Sequence, residues 1–432
     1  MALEDYKRDM EGCSRCSSCK WVPFNQIKSW RFAYGCPSVS RYNFHAYSGS
    51  GKMIMGLSMV SGRSELNENV AEIIYRCQLC GACDMACKVY RDDMDLSEVL
   101  LELRAKCVEE GELIVEHMAA LDSLKREDNM LGEKKSARGD WAEGLNIKDI
   151  NSSKVDVIFH AGCRYSYDPD LRESVRGAVT MLQYAGVDVG IAGAGESCCG
   201  GKVYELGYRG EAENFADDML SRVKASGAKV LVTPCADCFA TFRYLYPRMG
   251  KELPVEVLHL SQYLERLIAE RSLELKEKVP LNVTYHDPCH LGRMSEPYLG
   301  QWTECKLTRP MSLKRAGRKG VYDTPRNIIK SIPGLVLKEM ERIREYSWCC
   351  GAGGGVMDAF PEFAEWTALE RLEEAKAAGA EAIVTTCPWC IRLFRDTAEE
   401  NDFKIDIYDI NELILKSAGI DVAKIAEEVA PL

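Results

Sequence analysis

The sequence lacks three features, and each absence excludes a class of protein. The N-terminus, Met1–Arg8, has no apolar core of the kind that directs a chain to secretion. The longest apolar runs, such as Val230–Val232, are strand-sized and fall far short of the roughly 20 residues that span a membrane. No basic block offers a surface for nucleic-acid phosphates, and the net charge is −11. We therefore expect a cytoplasmic protein that binds no nucleic acid and reaches a membrane only through a partner.

What the chain has in excess is cysteine. It contains 20 cysteines in 432 residues, while its 46% hydrophobic and 28% charged residues are ordinary for a globular protein. Disulfides are rare in the cytoplasm, so this many cysteines indicates metal ligands. The length predicts two or three domains.

Two cysteine runs lie near the N-terminus. The second has the C-x2-C-x2-C-x3-C spacing of bacterial ferredoxins, in which the fourth cysteine ligates the other of two clusters. The first run reaches its fourth cysteine, Cys36, only after a long insertion, but a proline follows Cys36, as it often follows such ligands. The spacing predicts two cubane [4Fe–4S] clusters, one held by Cys13, Cys16, Cys19 and Cys87 and the other by Cys77, Cys80, Cys83 and Cys36. A zinc-knuckle module is the alternative.

A different cysteine pattern occurs twice in the rest of the chain. Each copy has one cysteine, then Cys-Cys-Gly, then Cys-x-x-Cys, and so offers five thiolates, one more than a cubane cluster or a zinc ion uses. The side chains of adjacent cysteines diverge, so they suit two irons of a larger, more open cluster. The predicted ligands are Cys163, Cys198, Cys199, Cys235 and Cys238, and then Cys289, Cys349, Cys350, Cys387 and Cys390. Structural disulfides, structural zinc and a thioredoxin-like redox pair are the alternatives.

Two cysteines and one glycine-rich loop lie outside these sets. Cys107 falls within a helical apolar pattern and is predicted to be a buried small hydrophobic residue. Cys305 lies in an insertion of the second copy and is not expected to be a ligand. The glycines of Gly351–Gly355 would let backbone approach a cluster closely. A nucleotide loop is the alternative, although the Walker lysine is missing and the match to GxGxxG is poor.

From Lys154 onward, the chain is an internal repeat of short apolar runs that are each followed by a helical stretch. The matching runs are Val155–Phe159 with Leu281–Tyr285, Ala228–Cys235 with Ala380–Cys387, and Val255–Leu260 with Phe403–Tyr408. This alternation predicts parallel βαβ units whose cluster cysteines follow strands. Each Cys-x-x-Cys pair should begin a helix, where amide N–H groups favour a thiolate. We expect Asp287 and Pro288 to begin a helix at Cys289 in the same way.

The predicted fold class is α/β. A helical two-cluster ferredoxin-like module, including a helix over Leu96–Val115, precedes two Rossmann-like βαβ cysteine-rich domains. We place the module at residues 1–118, a linker or surface hairpin at 119–153, and the repeats at 154–280 and 281–432. The second repeat contains the insertion, which includes the basic stretch Lys314–Lys319.

This combination of motifs resembles the D-type iron–sulfur protein of heterodisulfide reductase, which is equivalent to the C-type and B-type proteins of that enzyme fused. The resemblance covers nearly the whole chain. It implies that each complete repeat holds a non-cubane [4Fe–4S] cluster and that such a cluster splits a disulfide into two thiols. Related proteins are iron–sulfur subunits of glycolate and lactate oxidases. Others accompany flavin-containing electron-bifurcating complexes, including those of tungsten benzoyl-coenzyme A reductases.

The resemblance implies a redox subunit within a complex of several redox subunits. The chain shows no flavin-binding fingerprint, so a flavin-containing electron-transfer subunit must supply its electrons one at a time. The expected acceptor is a disulfide or a similar group. The alternative is a pure electron-transfer subunit without a substrate, of the benzoyl-CoA reductase, quinone-linked or glycolate/lactate oxidase type.

Candidate catalytic residues flank one predicted ligand. His286 and His290 lie on either side of Cys289 and could give protons to leaving thiolates, or instead hydrogen-bond cluster sulfur or backbone. This histidine-rich run occurs in the second repeat alone, which favours that repeat as the site of chemistry. Arg164 and Lys202 could attract an anionic substrate, or act as surface or capping charges.

Overall fold

The computed structural model describes residues 2–90, 94–297 and 317–423. Cys305 and residues 314–316 of the predicted basic stretch lie outside the described residues. No helix within the described ranges is long and apolar enough to cross a lipid bilayer.

The N-terminal module is helical, as its sequence predicted. Its helices are α1 (Lys7–Gly12), α2 (Pro37–Tyr42), α3 (Gly49–Val60), α4 (Glu68–Tyr75), α5 (Ala82–Lys88) and α6 (Leu96–Glu110). Helix α6 ends before the predicted Val115 because Gly111 takes a left-handed conformation, with φ of 79°, and closes the helix.

Residues 119–153, expected to be a linker or surface hairpin, are regular and packed in the structure. They contain most of α7 (Met118–Glu127), a 3-10 turn over Lys135–Ala142 and strand β1 (Lys148–Asp149), which pairs with the first repeat. The side chains of Arg138 and Trp141 are buried. Their charged surroundings in the sequence concealed this packing, since a buried arginine needs a partner that the local sequence does not show.

The first repeat forms a five-stranded parallel sheet in the order β1-β3-β2-β4-β5. Its other strands are β2 (Val157–Phe159), β3 (Val189–Ile191), β4 (Val230–Thr233) and β5 (Glu256–His259). Its helices are α8 (Gly162–Tyr167), α9 (Arg172–Tyr184), α10 (Gly201–Glu205), α11 (Arg209–Ser226), α12 (Ala236–Ala240), α13 (Tyr246–Arg248) and α14 (Leu260–Ala269).

The second repeat forms a four-stranded parallel sheet in the order β7-β6-β8-β9. Its strands are β6 (Leu281–Tyr285), β7 (Leu335–Leu337), β8 (Ala382–Thr385) and β9 (Asp406–Asp409). Its helices are α15 (Asp323–Ser331), α16 (Val356–Ala359), α17 (Pro361–Ala377), α18 (Pro388–Glu400) and α19 (Ile410–Ala418). Strand β9 begins later than the predicted Phe403, whose amide instead bonds the Ala398 carbonyl and closes the end of α18.

The central strands of both sheets are buried on both faces. The packing against these faces connects the repeats to the module. Successive side chains of a strand point to opposite faces. Leu231 and Ile383 accordingly belong to one apolar core, which also contains Leu103 of the module. Their neighbours Val232 and Val384 belong to a second core, which both repeats share. Parallel sheets are stable only when both faces are covered, so the three parts fold as one packed body.

Candidate metal centres

Both Cys-x-x-Cys pairs begin helices at the carboxyl ends of strands, which confirms the prediction. Cys235 follows β4 and is the N-cap residue of α12, and Cys387 follows β8 and is the N-cap residue of α18. The free amides and the dipole of a helix N-terminus favour negative charge. Each pair is therefore in a position that suits thiolates and an anionic cluster.

The expected helix at Cys289 is absent. Residues 289–294 form turns, and the Asp287 carboxylate does not cap them. It instead accepts two hydrogen bonds from the Arg326 guanidinium, at 2.6 and 2.9 Å, and one from the Arg344 amide at 2.8 Å. A bidentate arginine holds a carboxylate more strongly than a neutral amide does, so the ion pair prevails over the helix cap.

The five predicted ligands of the first repeat lie together and are buried. The thiols of Cys163 and Cys198, of Cys198 and Cys199, of Cys199 and Cys238, and of Cys238 and Cys235 lie within hydrogen-bonding reach. We call these five residues the first-repeat group. The Cys198 thiol contacts Cys163 and the Cys199 thiol contacts Cys238, so the two adjacent cysteines have different neighbours in the group.

The second repeat brings its five predicted ligands together in the same way. Four pairs of thiols lie within hydrogen-bonding reach of each other, namely Cys289 and Cys349, Cys349 and Cys350, Cys350 and Cys390, and Cys390 and Cys387. We call these residues the second-repeat group. The His286 ring is part of its edge, because the ligand atoms of His286, Cys350 and Cys390 lie within 4.8 Å of one another.

The module also brings together the two predicted sets of four. Cys87 lies within electrostatic range of Cys13, Cys16 and Cys19. Cys83 lies within the same range of Cys36, Cys77 and Cys80. Burial raises the pKa of the Cys36 thiol to about 12, so proximity to a metal would have to drive its deprotonation.

Two contacts connect the groups to one another. The Cys80 thiol of the module lies within hydrogen-bonding reach of the Cys349 thiol. On the other side, the Cys387 thiol lies 3.9 Å from the Asp237 carboxylate and within electrostatic range of Cys235. The second-repeat group therefore lies between the module and the first-repeat group.

The two candidate histidines occupy different environments. The Nδ1 atom of His290 lies 3.3 Å from the Cys289 thiol and 3.3 Å from the Asp237 carboxylate, and Nε2 lies 2.7 Å from the Glu205 carboxylate. Burial alone would lower the pKa of His290, but the two carboxylates and the thiolate raise it well above its usual range. His290 thus brings a positive charge to the boundary between the repeats.

The side chain of His286 is hydrogen-bonded to an arginine, whereas that of His290 is paired with carboxylates. Its Nδ1 accepts a hydrogen bond of 3.1 Å from the Nε of Arg371, and its side chain lies within reach of the Cys350 thiol. Burial lowers the pKa of His286, so the ring is neutral. This environment suits orientation of the second-repeat group better than delivery of protons.

Sequence reasoning missed Arg138. This buried side chain lies 3.6 Å from the Cys163 thiol and donates to the Glu196 carboxylate and the Ser197 carbonyl. A positive charge here stabilises thiolates and any anionic cluster that they hold. Apolar residues within the charged segment, such as Met130, Trp141 and Ile150, were the sequence signal that the segment packs inward.

His259 was also missed. Its Nε2 lies 3.0 Å from the Pro234 carbonyl and 3.1 Å from the Thr386 carbonyl, so the ring connects the residues that precede the two Cys-x-x-Cys pairs. Burial lowers the pKa of His259 to about 4. The ring is therefore neutral near pH 7, with Nε2 donating and Nδ1 accepting from the Ser261 amide.

Arg164 and Lys202 lie beside the two cysteine-rich groups but are already paired. Both cations stack on the Trp389 ring, at 4.4 and 4.6 Å from its centroid. Lys202 also lies 3.0 Å from the Asp358 carboxylate. The stacked tryptophan stands between Cys387 and Cys390 in the sequence, so these charges rigidify the second Cys-x-x-Cys pair.

A cavity of about 370 Å³ lies beside the first-repeat group. Its wall includes Ser197, directly before Cys198, and the apolar side chains of Val203 and Phe215. The charged residues of the wall form the ion pairs Lys125–Glu211, Lys135–Asp128 and Arg222–Asp218. None of the five cysteines of the first-repeat group lines this cavity.

Models of known protein families match the same N-terminal module and the same two repeats. A 4Fe-4S dicluster domain model matches residues 9–90, and a cysteine-rich domain model matches residues 157–243 and 283–395. Together they cover more than half of the chain. The chain belongs to the iron–sulfur proteins that join a dicluster domain to a repeated cysteine-rich domain. The groups of buried thiols fit the iron–sulfur clusters that this family holds.

Curated relatives of this iron–sulfur protein include oxidoreductases and oxidoreductase subunits. The D-type protein of the dihydromethanophenazine:CoB–CoM heterodisulfide reductase of Methanosarcina acetivorans is 27% identical over 96% of this chain and 95% of that protein. The probable iron–sulfur-binding oxidoreductase FadF of Bacillus subtilis is 28% identical over 98% of this chain and 56% of that protein. The EtfAB:quinone oxidoreductase of Syntrophomonas wolfei is 26% identical over 80% of this chain and 47% of that protein. This protein is likewise an iron–sulfur electron-transfer subunit.

Replacement of Arg326 with methionine should strongly destabilise this iron–sulfur protein. Asp287 is buried, and Arg326 is its bidentate partner. Removing one member of a buried ion pair leaves an uncompensated charge and costs about 3–5 kcal/mol of unfolding free energy. Urea denaturation measures this loss, with Arg266→Met, at an exposed Glu256 pair, as the control that should change stability by less than about 1 kcal/mol. Equal losses for the two variants would contradict the role given to Arg326.

Proposed function

We propose that this protein takes electrons from a flavin-containing electron-transfer subunit and uses them to reduce a disulfide or a similar acceptor. When bound, two cubane and two non-cubane [4Fe–4S] clusters would supply one-electron transfer. The observation that carries the proposal is the contact between Cys80 and Cys349, which joins the relay module directly to a cysteine-rich repeat. The similarity along nearly its whole length to the D-type protein of a heterodisulfide reductase supports it.

The proposed ligands are the four groups described above. In the module these are Cys13, Cys16, Cys19 and Cys87, and then Cys36, Cys77, Cys80 and Cys83. The first-repeat and second-repeat groups each contribute five further thiols. Within each repeat group the thiols lie close together in the chain as described, so a cluster bound among them would have to move them apart.

The proposed role of His290 is to hold a proton at the boundary between the repeats. Nε2 shares a proton with Glu205 of the first repeat, while Nδ1 points at the Cys289 thiol of the second. A thiolate released in this region would therefore take its proton from the His290 side chain. His286 is proposed to orient the second-repeat group, given its hydrogen bond from Arg371.

The same proposal predicts the location of the protein and its partners. We infer that it works in the cytoplasm within a complex of redox subunits, and that any membrane contact is made by a partner. The module at 1–118 would receive electrons. The repeats at 154–280 and 281–432 would use them, with 119–153 packed against the first repeat.

Iron analysis tests the cluster content. Four clusters correspond to about sixteen iron atoms and as many acid-labile sulfides per chain. We expect this value for protein purified without oxygen, or reconstituted by refolding with iron and sulfide present. A reconstituted protein with no more than eight irons would remove the clusters of the repeats from the proposal, and zinc without sulfide would overturn it altogether.

A further inference from the structure

The module meets the second repeat along a seam formed by residues 77–80 and 345–355. Cys80 and Cys349 lie in one buried cluster together with Cys289 and Met294. The rate of electron tunnelling falls exponentially with distance. Whatever holds this seam closed therefore sets how fast an electron crosses it.

Arg104 donates hydrogen bonds to both sides of the seam. The side chain belongs to α6 of the module and is fully buried. Its guanidinium donates to the Cys77 carbonyl at 2.5 Å, to the Gly354 carbonyl at 2.6 Å and to the Glu205 carbonyl at 3.2 Å. One planar cation thus binds backbone of the module, the second repeat and the first repeat at once.

A second arginine acts from the opposite direction. Arg293 of the second repeat is buried, and its Nε donates to the Cys80 carbonyl at 2.5 Å. Another nitrogen of the same guanidinium donates to the Ser347 carbonyl at 2.7 Å. The cysteine that faces Cys349 is therefore fixed through its own backbone.

The glycine-rich loop provides the close approach that these bonds require. A Cβ atom on Gly353 would lie 2.6 Å from the Gln78 carbonyl oxygen, and one on Gly354 would lie 2.7 Å from the Cys77 carbonyl oxygen. Gly353 has no left-handed φ, so its need for glycine comes from this contact alone. The loop thus receives the backbone of the module, where a nucleotide-binding loop would receive phosphates.

We propose that Arg104 and Gly353 are positioning residues that hold residues 77–80 against the second repeat and thereby set the rate of electron entry into the repeats. The proposal rests on the proposed function, in which the module is the relay. Neither residue is a predicted ligand, and neither touches a reacting group. Both act through the distance between Cys80 and Cys349.

The test compares Gly353→Ala with Gly210→Ala, a helical glycine whose Cβ would meet open space. Both variants should bind as much iron as the wild type. In fully reduced protein, electron paramagnetic resonance should show a weaker magnetic interaction between the module and the second repeat for Gly353→Ala alone. Rapid mixing with photoreduced flavodoxin should show entry into the repeats slowed by about tenfold or more.

Unchanged magnetic interaction and unchanged entry rate in Gly353→Ala would overturn the proposal. If that variant loses iron, Arg104→Lys replaces it in the same two measurements. Lysine keeps the charge but cannot reach the carbonyls of both Cys77 and Gly354 in a planar fork, so an unchanged Arg104→Lys variant would also overturn the proposal. The magnetic measurement needs no electron donor. Failure of wild-type protein to accept electrons from flavodoxin or any flavoprotein would instead count against the proposed function.

Discussion

Cys80→Ser should abolish electron entry from a flavoprotein donor while sparing reduction by a small viologen dye. The thiol of Cys80 is the part of the module that reaches Cys349. Its loss removes a predicted ligand and the contact with the second repeat together. A small dye can reduce the repeats directly, so dye-linked turnover should stay within about twofold of the wild type. Stopped-flow reduction with each donor measures the two routes separately.

Cys107→Ala is the matched control for this variant. Cys107 is also a buried cysteine of the module, but the charged groups acting most on its thiol are Arg104 and two glutamates, and burial raises its pKa to about 12. Its replacement should leave both donor routes intact. Equal loss with both donors in Cys80→Ser would mean that the relay assignment is wrong or that the variant has unfolded, and circular dichroism separates these two results.

His290→Gln should lower disulfide-reducing turnover by roughly 10²-fold or more, with all clusters confirmed present. Glutamine can keep a hydrogen bond to Glu205 but cannot carry the proton that imidazole holds between Glu205 and Cys289. The effect should appear in turnover and not in the rate of cluster reduction. Steady-state assays beside stopped-flow reduction of the same preparation distinguish the two.

His160→Gln is the paired variant in the first repeat. His160 is buried, lies 3.5 Å from the Glu196 carboxylate and has a pKa that burial lowers, so it lacks the charge of His290. We expect it to retain most of its turnover. If His160→Gln abolishes turnover while His290→Gln does not, the chemistry belongs to the first repeat, beside the cavity at Ser197.

Motif spacing and periodicity predicted much of this molecule. The placement of Cys235 and Cys387 at the carboxyl ends of strands, their N-cap positions and the matching of the two repeats follow from short-range patterns. The grouping of Cys36 with Cys77, Cys80 and Cys83 was predicted from the ferredoxin pattern of shared fourth ligands and from the proline after Cys36, despite the long insertion before it. Each of these depends on residues close in sequence or on a motif with a fixed geometry.

The remaining features depend on distant partners, which no local pattern shows. Arg138 pairs with Glu196, so the predicted linker is packed against the first repeat. Asp287 pairs with Arg326, so the predicted helix cap is instead an ion pair. Likewise, His290 meets Glu205 of the other repeat. Buried charges are fixed by whichever opposite charge the tertiary fold brings near, and the sequence alone does not reveal that choice.

The burial of the cysteine groups has a consequence for how the protein is made. All ten thiols of the repeats are buried, and the apolar core around them includes side chains of the module. A scaffold protein carrying a preformed cluster cannot reach these thiols once the chain has closed. Cofactor loading and folding should therefore be a single process, with iron and sulfide entering before the three parts meet. Refolding with iron and sulfide present, compared with adding them afterwards, separates the two orders.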